Sequence, residues 1–346
     1  MISLLVAVAV AMGLSLAGTS FLIKTLEARR IGQPIREDGP AGHLTKAGTP
    51  TMGGVAIVIS AIVAYLFVHI RTGWEGFSGR GLAVMGLIIG MSLVGFADDA
   101  LAIRRGRNMG LNKKGKSAGL VLVAAAFSAS LLWFTDTSTS VSFTRETYLD
   151  LGEIAFFAWA MIMIVGSSNA VNLTDGLDGL ATGSAAMVFA AFTFISFWQA
   201  GNADIYGIGA ETAADVSVVA ASMVGACAGF LWWNAAPARI FMGDTGSLAL
   251  GGAMAGLAIA TETQLLLPVL GGLYVLETMS VVLQIASFRM TGKRIFKMAP
   301  IHHHFELSGW PETTVIVRFW IIAGICVGTG VGLFYADFVN IPGALQ

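Results

Sequence analysis

Ten uncharged or nearly uncharged apolar runs leave this chain few folds to choose from. They lie at Ile2–Ile23, Met52–Ile70, Gly81–Ala97, Ser117–Phe134, Ile154–Val171, Leu180–Trp198, Val216–Trp233, Ser247–Ala260, Leu265–Phe288 and Thr313–Tyr335. About twenty apolar residues cross the hydrocarbon core of a bilayer, and most of the runs reach that length. A transmembrane β-barrel needs alternating segments of roughly ten residues, whereas these runs are continuous. The expected fold is therefore an all-α polytopic membrane protein of about ten transmembrane helices, in one domain over residues 1–346. Two runs fit less well: Ser247–Ala260 is short, and Leu265–Phe288 contains Glu277. Composition agrees, since only 12% of residues are charged, about half the share in a soluble protein. The 43 glycines and eight tryptophans suit close helix packing and interfacial anchoring.

Charge asymmetry gives an orientation. With ten spans, the odd-numbered connections share one side. They hold Lys24, Arg29, Arg30, Arg36, Lys46, Arg104, Arg105, Arg107, Lys113, Lys114, Lys116, Arg239, Arg289, Lys293, Arg294 and Lys297, sixteen of the 20 basic residues. The even connections hold Arg71, Arg80 and Arg145, and Arg318 lies near the start of the tenth span. By the positive-inside rule the odd connections face the cytoplasm and both termini face out. The first run has no basic leader and is followed by positive charge, so it reads as a retained helix, not a cleaved signal. Cys227 and Cys326 fall inside apolar runs, which leaves no disulfide framework or thiolate metal site. The connection Thr135–Gly152 is read as a short hairpin without chemistry.

Five polar clusters fall on the cytoplasmic side. Thr49-Pro50-Thr51-Met52-Gly53-Gly54 reads as a helix start, with Thr as cap and Pro in the first turn, or as a place where paired glycines admit a ligand. Asp98-Asp99 ends the third run, where two carboxylates oppose the helix dipole and each other. A carboxylate near hydrocarbon depth asks for a cation, and the basic stretch from Arg104 to Lys116 follows at once. The turn Asn172–Gly179 carries Asn172, Asp175 and Asp178 with Gly176 and Gly179, without the ligand spacing of an EF-hand. Gly243-Asp244-Thr245-Gly246 opens the short eighth run, where Asp244 and Thr245 serve either as helix caps or as hard oxygen donors. His302, His303 and His304 are consecutive, so a helix cannot turn all three to one metal, and no zinc spacing is present. Phosphate contact or proton transfer suits them better. Carboxylates that hold Mg²⁺ and cations that clamp a pyrophosphate, at a membrane surface, fit phosphoryl transfer to a lipid.

The runs Ser168-Asn169-Ala170-Val171-Asn172-Leu173-Thr174-Asp175-Gly176-Leu177-Asp178-Gly179 and Ala299-Pro300-Ile301-His302-His303-His304 carry a family resemblance that extends over most of the chain. The sequence resembles the phospho-N-acetylmuramoyl-pentapeptide transferases, within the polyprenyl-phosphate N-acetylhexosamine-1-phosphate transferase superfamily. That resemblance implies Mg²⁺-dependent reaction of UDP-MurNAc-pentapeptide with undecaprenyl phosphate, giving lipid I and UMP for peptidoglycan synthesis in the bacterial plasma membrane. It implies that Asp98, Asp99 and Asp244 form the catalytic and metal-binding acidic set, with Asp244 the direct ligand. It further implies a uridine pocket of Lys46, Asn172, Gly176, Leu177, Asp178 and Phe241, with Phe241 stacked on uracil. Asn234, Lys116, Asp175 and His302–His304 would meet phosphates or organise the metal, Gly243 and Ser247 would border the substrate, the ninth span would be broken, and the chain would form a homodimer. Where the family often has Asp-Asp-Tyr, Ala100 follows Asp98-Asp99 here, which touches only local packing.

Two other functions remain open to test. A sister transferase would use UDP-N-acetylglucosamine on the same lipid. A cation-coupled transporter would bury charges mid-span on several helices, whereas nearly all charges here sit at cytoplasmic run ends, with Glu277 the main exception.

Overall fold

The computed structural model describes residues 1–29, 32, 46, 48–73, 76–106 and 110–342. Arg30, Arg36 and Arg107 of the charge count lie outside the described residues. The chain runs through α1 (Ile2–Ala28), α2 (Gly54–Arg71), α3 (Gly79–Arg105), α4 (Lys113–Phe134), β1 (Ser140–Ser142), β2 (Glu146–Asp150), α5 (Gly152–Thr174) and α6 (Leu180–Gly201). It continues through the single turn α7 (Ala203–Tyr206), α8 (Ala210–Asn234), α9 (Gly243–Ala260), α10 (Leu267–Leu270), α11 (Gly272–Thr291), α12 (Ile301–Glu306) and α13 (Glu312–Val339). Among the described residues, nine helices are long and apolar enough to cross a membrane: α1 to α6, α8, α11 and α13. The fold is that of an all-α polytopic membrane protein. β1 and β2 pair antiparallel in the expected hairpin.

The eighth run, α9, has its own reason to be short and glycine-rich. Every residue from Thr245 to Ala260 is buried, so helices, and not lipid, surround it. Small residues let helix backbones approach closely where lipid gives no hydrophobic drive to associate. A Cβ on Gly251 would overlap the backbone of Ser167 and Ser168 in α5, and Cβ atoms on Gly252 and Gly256 would press on Met91 and Leu87 of α3. From the α3 side, a Cβ on Gly95 would overlap the backbone of Asp244 and Thr245. The first turn of α9 therefore lies directly on α3.

Two expectations need correction. The third run does not end at Ala97: α3 continues to Arg105 and stops at Gly106, which takes the left-handed conformation that favours glycine. Asp98 and Asp99 thus sit inside the helix, nearly two turns before its end, and the argument from the C-terminal dipole does not apply to them. The basic pair that suits that dipole is Arg104 and Arg105, in the last turn. The run Leu265–Phe288 is likewise not one helix. A 3-10 turn at Gln264–Leu266 leads into α10, and the chain breaks at Gly271 before α11 begins. Pro268 cannot donate to a continuous ladder, and Gly272 packs directly on Cys326 of α13. Burial separates the centre of the bundle from its edge: 78% of the apolar stretch of α8 is buried, against 22% for α1 and α11.

Two glycines of α3 provide a matched test. A Cβ at Gly86 meets nothing, whereas one at Gly95 meets α9. Gly86→Ala should leave thermal unfolding in detergent unchanged or raise it, because alanine gains up to about 1 kcal/mol in a helix. Gly95→Ala should cost about 1–3 kcal/mol by overpacking and lower the unfolding midpoint.

Candidate active site

Two of the five sequence clusters join through their backbones. Phe241 N–H donates to Pro50 O (2.8 Å), Gly53 N–H to Phe241 O (2.9 Å) and Gly54 N–H to Met242 O (2.9 Å). Thr49–Gly53 is therefore an irregular segment whose backbone bonds to the entry of α9, and the expected helix start at Thr49–Pro50 is not found; α2 begins at Gly54 with no side-chain cap. The paired glycines admit protein: a Cβ on Gly53 would strike the Phe230 ring, and one on Gly54 the backbone of Gly246.

The expected capping of α9 by Asp244 or Thr245 is also replaced. The cap comes from α3. Asp99 Oδ1 accepts from Asp244 N–H (3.1 Å), and Asp99 Oδ2 accepts from Thr245 N–H (3.0 Å) and Thr245 Oγ1 (2.6 Å). Asp99 lies four residues after Gly95, on the same helix face, so the close approach at Gly95 delivers this carboxylate to the exposed N–H groups of α9. Gly243 has a φ of +72, and a Cβ there would lie 2.5 Å from Asp99 Oδ2; glycine is required on both counts.

Asp98, Asp99 and Asp244 each offer an oxygen within 4.8 Å of the others. Asp98 Oδ1 accepts from Leu111 N–H (2.7 Å), and its Oδ2 lies 3.8 Å from Lys116 Nζ. Lys116, in the first turn of α4, also contacts Asp244 Oδ2. Asn172 Nδ2 donates to Asp244 Oδ1 (2.6 Å) and to Ser247 Oγ (2.8 Å). Three carboxylates thus cluster together, and two of them, Asp98 and Asp244, share the Lys116 ammonium. Hard oxygen donors with surplus negative charge are what a divalent cation such as Mg²⁺ takes, so the residues fit a metal.

The turn after α5 forms the adjoining wall. Asp178 is buried; Lys46 Nζ reaches its Oδ1 (2.7 Å), and Ala238 N–H donates to its Oδ2 (2.9 Å). Lys46 also pairs with Glu312 Oε1 at the start of α13 (2.6 Å), which accepts from Asp178 N–H (3.2 Å). Burial alone would lower the Lys46 ammonium, but its bonds to Asp178 and Glu312 raise it above its ordinary value. Burial pushes the Asp175 carboxyl up to about 8, with the charges of Asp244, Asp99 and Asp178 adding to the effect. A cation bound among the acids would oppose that rise.

Other expected residues have protein partners. Asn234 is buried; its Nδ2 donates to Ile240 O (2.9 Å), and its Oδ1 accepts from Thr182 Oγ1 (3.0 Å). It shapes the chain leading to Phe241. Leu177 packs in a second apolar cluster with Leu180, Leu273, Val315, Ile316 and Phe319. The Phe241 ring is half-buried and stacks on no other aromatic ring among the described residues.

The three histidines separate, as consecutive positions on a helix must. His302 is fully buried, with Nδ1 3.0 Å from Glu277 Oε1, and its ring fills the space a Gly176 side chain would occupy. His303 Nδ1 bonds to Glu306 Oε2 (2.8 Å), and His304 Nδ1 accepts from Lys297 N–H (3.1 Å). Only His302 is seen to join the turn. Sequence reasoning assigned no role to Glu312 and left Glu277 as a misfit. The signal for Glu277 was its isolation in an apolar run; Glu312 offered only its place beside Pro311.

The acids differ in structural duty. Asp99→Ala removes three accepted bonds at a helix N-terminus and should cost about 1–2 kcal/mol. Asp98→Ala gives up one accepted bond and should lower the unfolding midpoint less; the reverse order would contradict the capping role.

The chain is similar to known proteins over nearly its whole length. The glycosyl transferase family 4 profile matches residues 81–262, and a phospho-N-acetylmuramoyl-pentapeptide-transferase signature matches residues 46–58. The phospho-N-acetylmuramoyl-pentapeptide-transferase of Frankia casuarinae is 52% identical over 353 residues, covering 98% of this chain and 99% of the relative. Those of Streptomyces griseus (52% over 352 residues, 97% and 98% covered) and Cutibacterium acnes (49% over 355 residues, 97% and 99% covered) are similar to it throughout. With the profile spanning half the chain, and the relatives nearly all of it, the chain belongs to the phospho-N-acetylmuramoyl-pentapeptide-transferase family, a group of phosphosugar-transferring membrane enzymes within glycosyl transferase family 4.

Proposed function

We propose that this chain transfers phospho-MurNAc-pentapeptide from its UDP donor to undecaprenyl phosphate, giving lipid I and UMP at the cytoplasmic face of the bacterial plasma membrane. The observation that carries the reading is the clustering of Asp98, Asp99 and Asp244, with Lys116 beside Asp98 and Asp244 and Asn172 bonded to Asp244. In the reaction, an oxygen of the lipid phosphate attacks the phosphorus that bears the sugar. A new P–O bond forms, the bond to UMP breaks, and UMP leaves with the electron pair.

Asp244, with Asp98 and Asp99, would hold Mg²⁺, which when bound neutralises charge on the donor pyrophosphate. Asp99 is committed to the α9 N-terminus through both oxygens, whereas Asp98 directs Oδ2 toward Lys116. Asp98 therefore takes the proton of the lipid phosphate, and direct attack needs no phosphoenzyme. Lys116 follows the phosphate charge. Phe241 offers its ring to uracil, and Lys46, held between Asp178 and Glu312, sits at the nucleotide wall with Gly176 and Asp175. Both termini lie outside, and the protein acts as a homodimer, in keeping with its family resemblance.

UMP release from UDP-MurNAc-pentapeptide, measured on purified protein with undecaprenyl phosphate, should require Mg²⁺ and stop with EDTA. Incorporation of N-acetylglucosamine phosphate in its place would overturn the donor assignment. Asp244→Asn should abolish turnover while leaving the unfolding midpoint near that of the parent; retained turnover would refute its metal role. A periplasm-dependent reporter fused after Thr291 should be silent, and the same reporter at the C-terminus active.

A further inference from the structure

Glu277 is the only acidic residue of α11. That helix is among the least enclosed of the bundle, yet Glu277 itself is fully buried. A carboxylate at such a position is costly unless something compensates it. The nearby Ser280 hydroxyl does not, because it donates to the backbone carbonyl of Glu277 (2.6 Å). What faces the carboxylate is His302, also fully buried, with Nδ1 3.0 Å from Oε1. The ring is turned away from ideal alignment, so both carboxylate oxygens and both ring nitrogens retain unused hydrogen-bonding capacity.

We propose that Glu277 is a positioning residue for His302 in the transfer reaction, an inference that rests on the transferase reading above. An ionised carboxylate only accepts, so the Nδ1 that faces it carries the proton. Nε2 is then the ring atom left for the substrate side, and it lies against Gly176 in the turn between Asp175 and Asp178. Carboxylate–imidazole pairs of this kind fix tautomer and ring orientation. The other charged or titratable groups around the ring are His303, whose ring centroid is 4.2 Å away, and the two aspartates of the turn. The break at Gly271 brings α11 to the site, and Glu277 is the group it contributes there.

Glu277→Gln preserves shape and removes the charge. It should lower kcat by about tenfold to a hundredfold, the range for removing such a partner, with the KM for UDP-MurNAc-pentapeptide little changed. In a His302→Gln background it should cost nothing further, because the two residues act as one unit; additive losses would overturn the proposal. Glu277→Asp, which keeps the charge on a shorter arm, should recover part of the rate. NMR of ¹⁵N-histidine-labelled protein, with the His302 signals identified by their loss in His302→Gln, should show the proton on Nδ1. Glu277→Gln should erase that preference, and an unchanged tautomer would sink the idea. The NMR result does not depend on turnover. Wild-type protein inactive with both sugar nucleotides would overturn the transferase reading, while the tautomer would still judge the Glu277–His302 pair.

Discussion

The acceptance of the α9 N-terminus by Asp99 is the contact on which the site depends. The first N–H groups of a helix have no partner within it, and here that of Thr245 is buried away from water. A carboxylate from the neighbouring helix supplies the acceptors and opposes the positive end of the dipole. The contact works only because Gly95 lets α3 touch the backbone of α9 and Gly243 leaves room for the carboxylate. The same geometry carries Asp98 and Asp244 to within reach of one cation. Helix packing and the assembly of the acidic cluster are therefore one event. The sharing of Asp99 between capping and charge also separates it from Asp98, although the two are adjacent in sequence.

The spans and the clusters were legible in the sequence because each is a local property. Apolar runs declare length, and polar residues crowded at run ends declare a site. What stayed hidden depends on contacts between distant segments. The end of α3 was misplaced because Asp98 and Asp99 look like the edge of a hydrophobic stretch, whereas the helix persists past them to Gly106. The capping of Asp244 and Thr245 was assigned to their own side chains because a partner 145 residues away leaves no local trace. Asn234 looked like a ligand residue, but both ends of its amide serve the chain. Leu177 packs in a core and Gly176 makes space for His302, contacts that no local pattern announces.

The other end of the same bundle is built on a different principle. Arg80 pairs with Glu262 (2.8 Å) and donates to the carbonyls of Ala260 (3.0 Å) and Asp136 (2.6 Å). Asp215 accepts from Ser78 N–H and Oγ (both 2.7 Å) and from Tyr65 (3.2 Å), with His69 beside it (3.1 Å). These buried charges are matched by partners within the protein and fasten helix ends to one another. At the opposite end the carboxylates outnumber the cation among them. One end is neutralised and closed, while the other, at the candidate site, holds surplus charge.

Lys46 joins residues that ribosomal synthesis separates widely. Its ammonium binds Asp178 in the middle of the chain and Glu312, 266 residues beyond it. The first partner emerges long after Lys46, and the second belongs to the last helix. Until α13 is inserted, one wall of the site lacks its clasp, although the acidic trio and most of the bundle are already present. A nascent chain therefore carries Asp98, Asp99 and Asp244 before the Lys46–Glu312 pair beside them can form. Lys46 is held on both sides only once α13 has joined the bundle, so this wall of the candidate site closes after the helices that carry the acids.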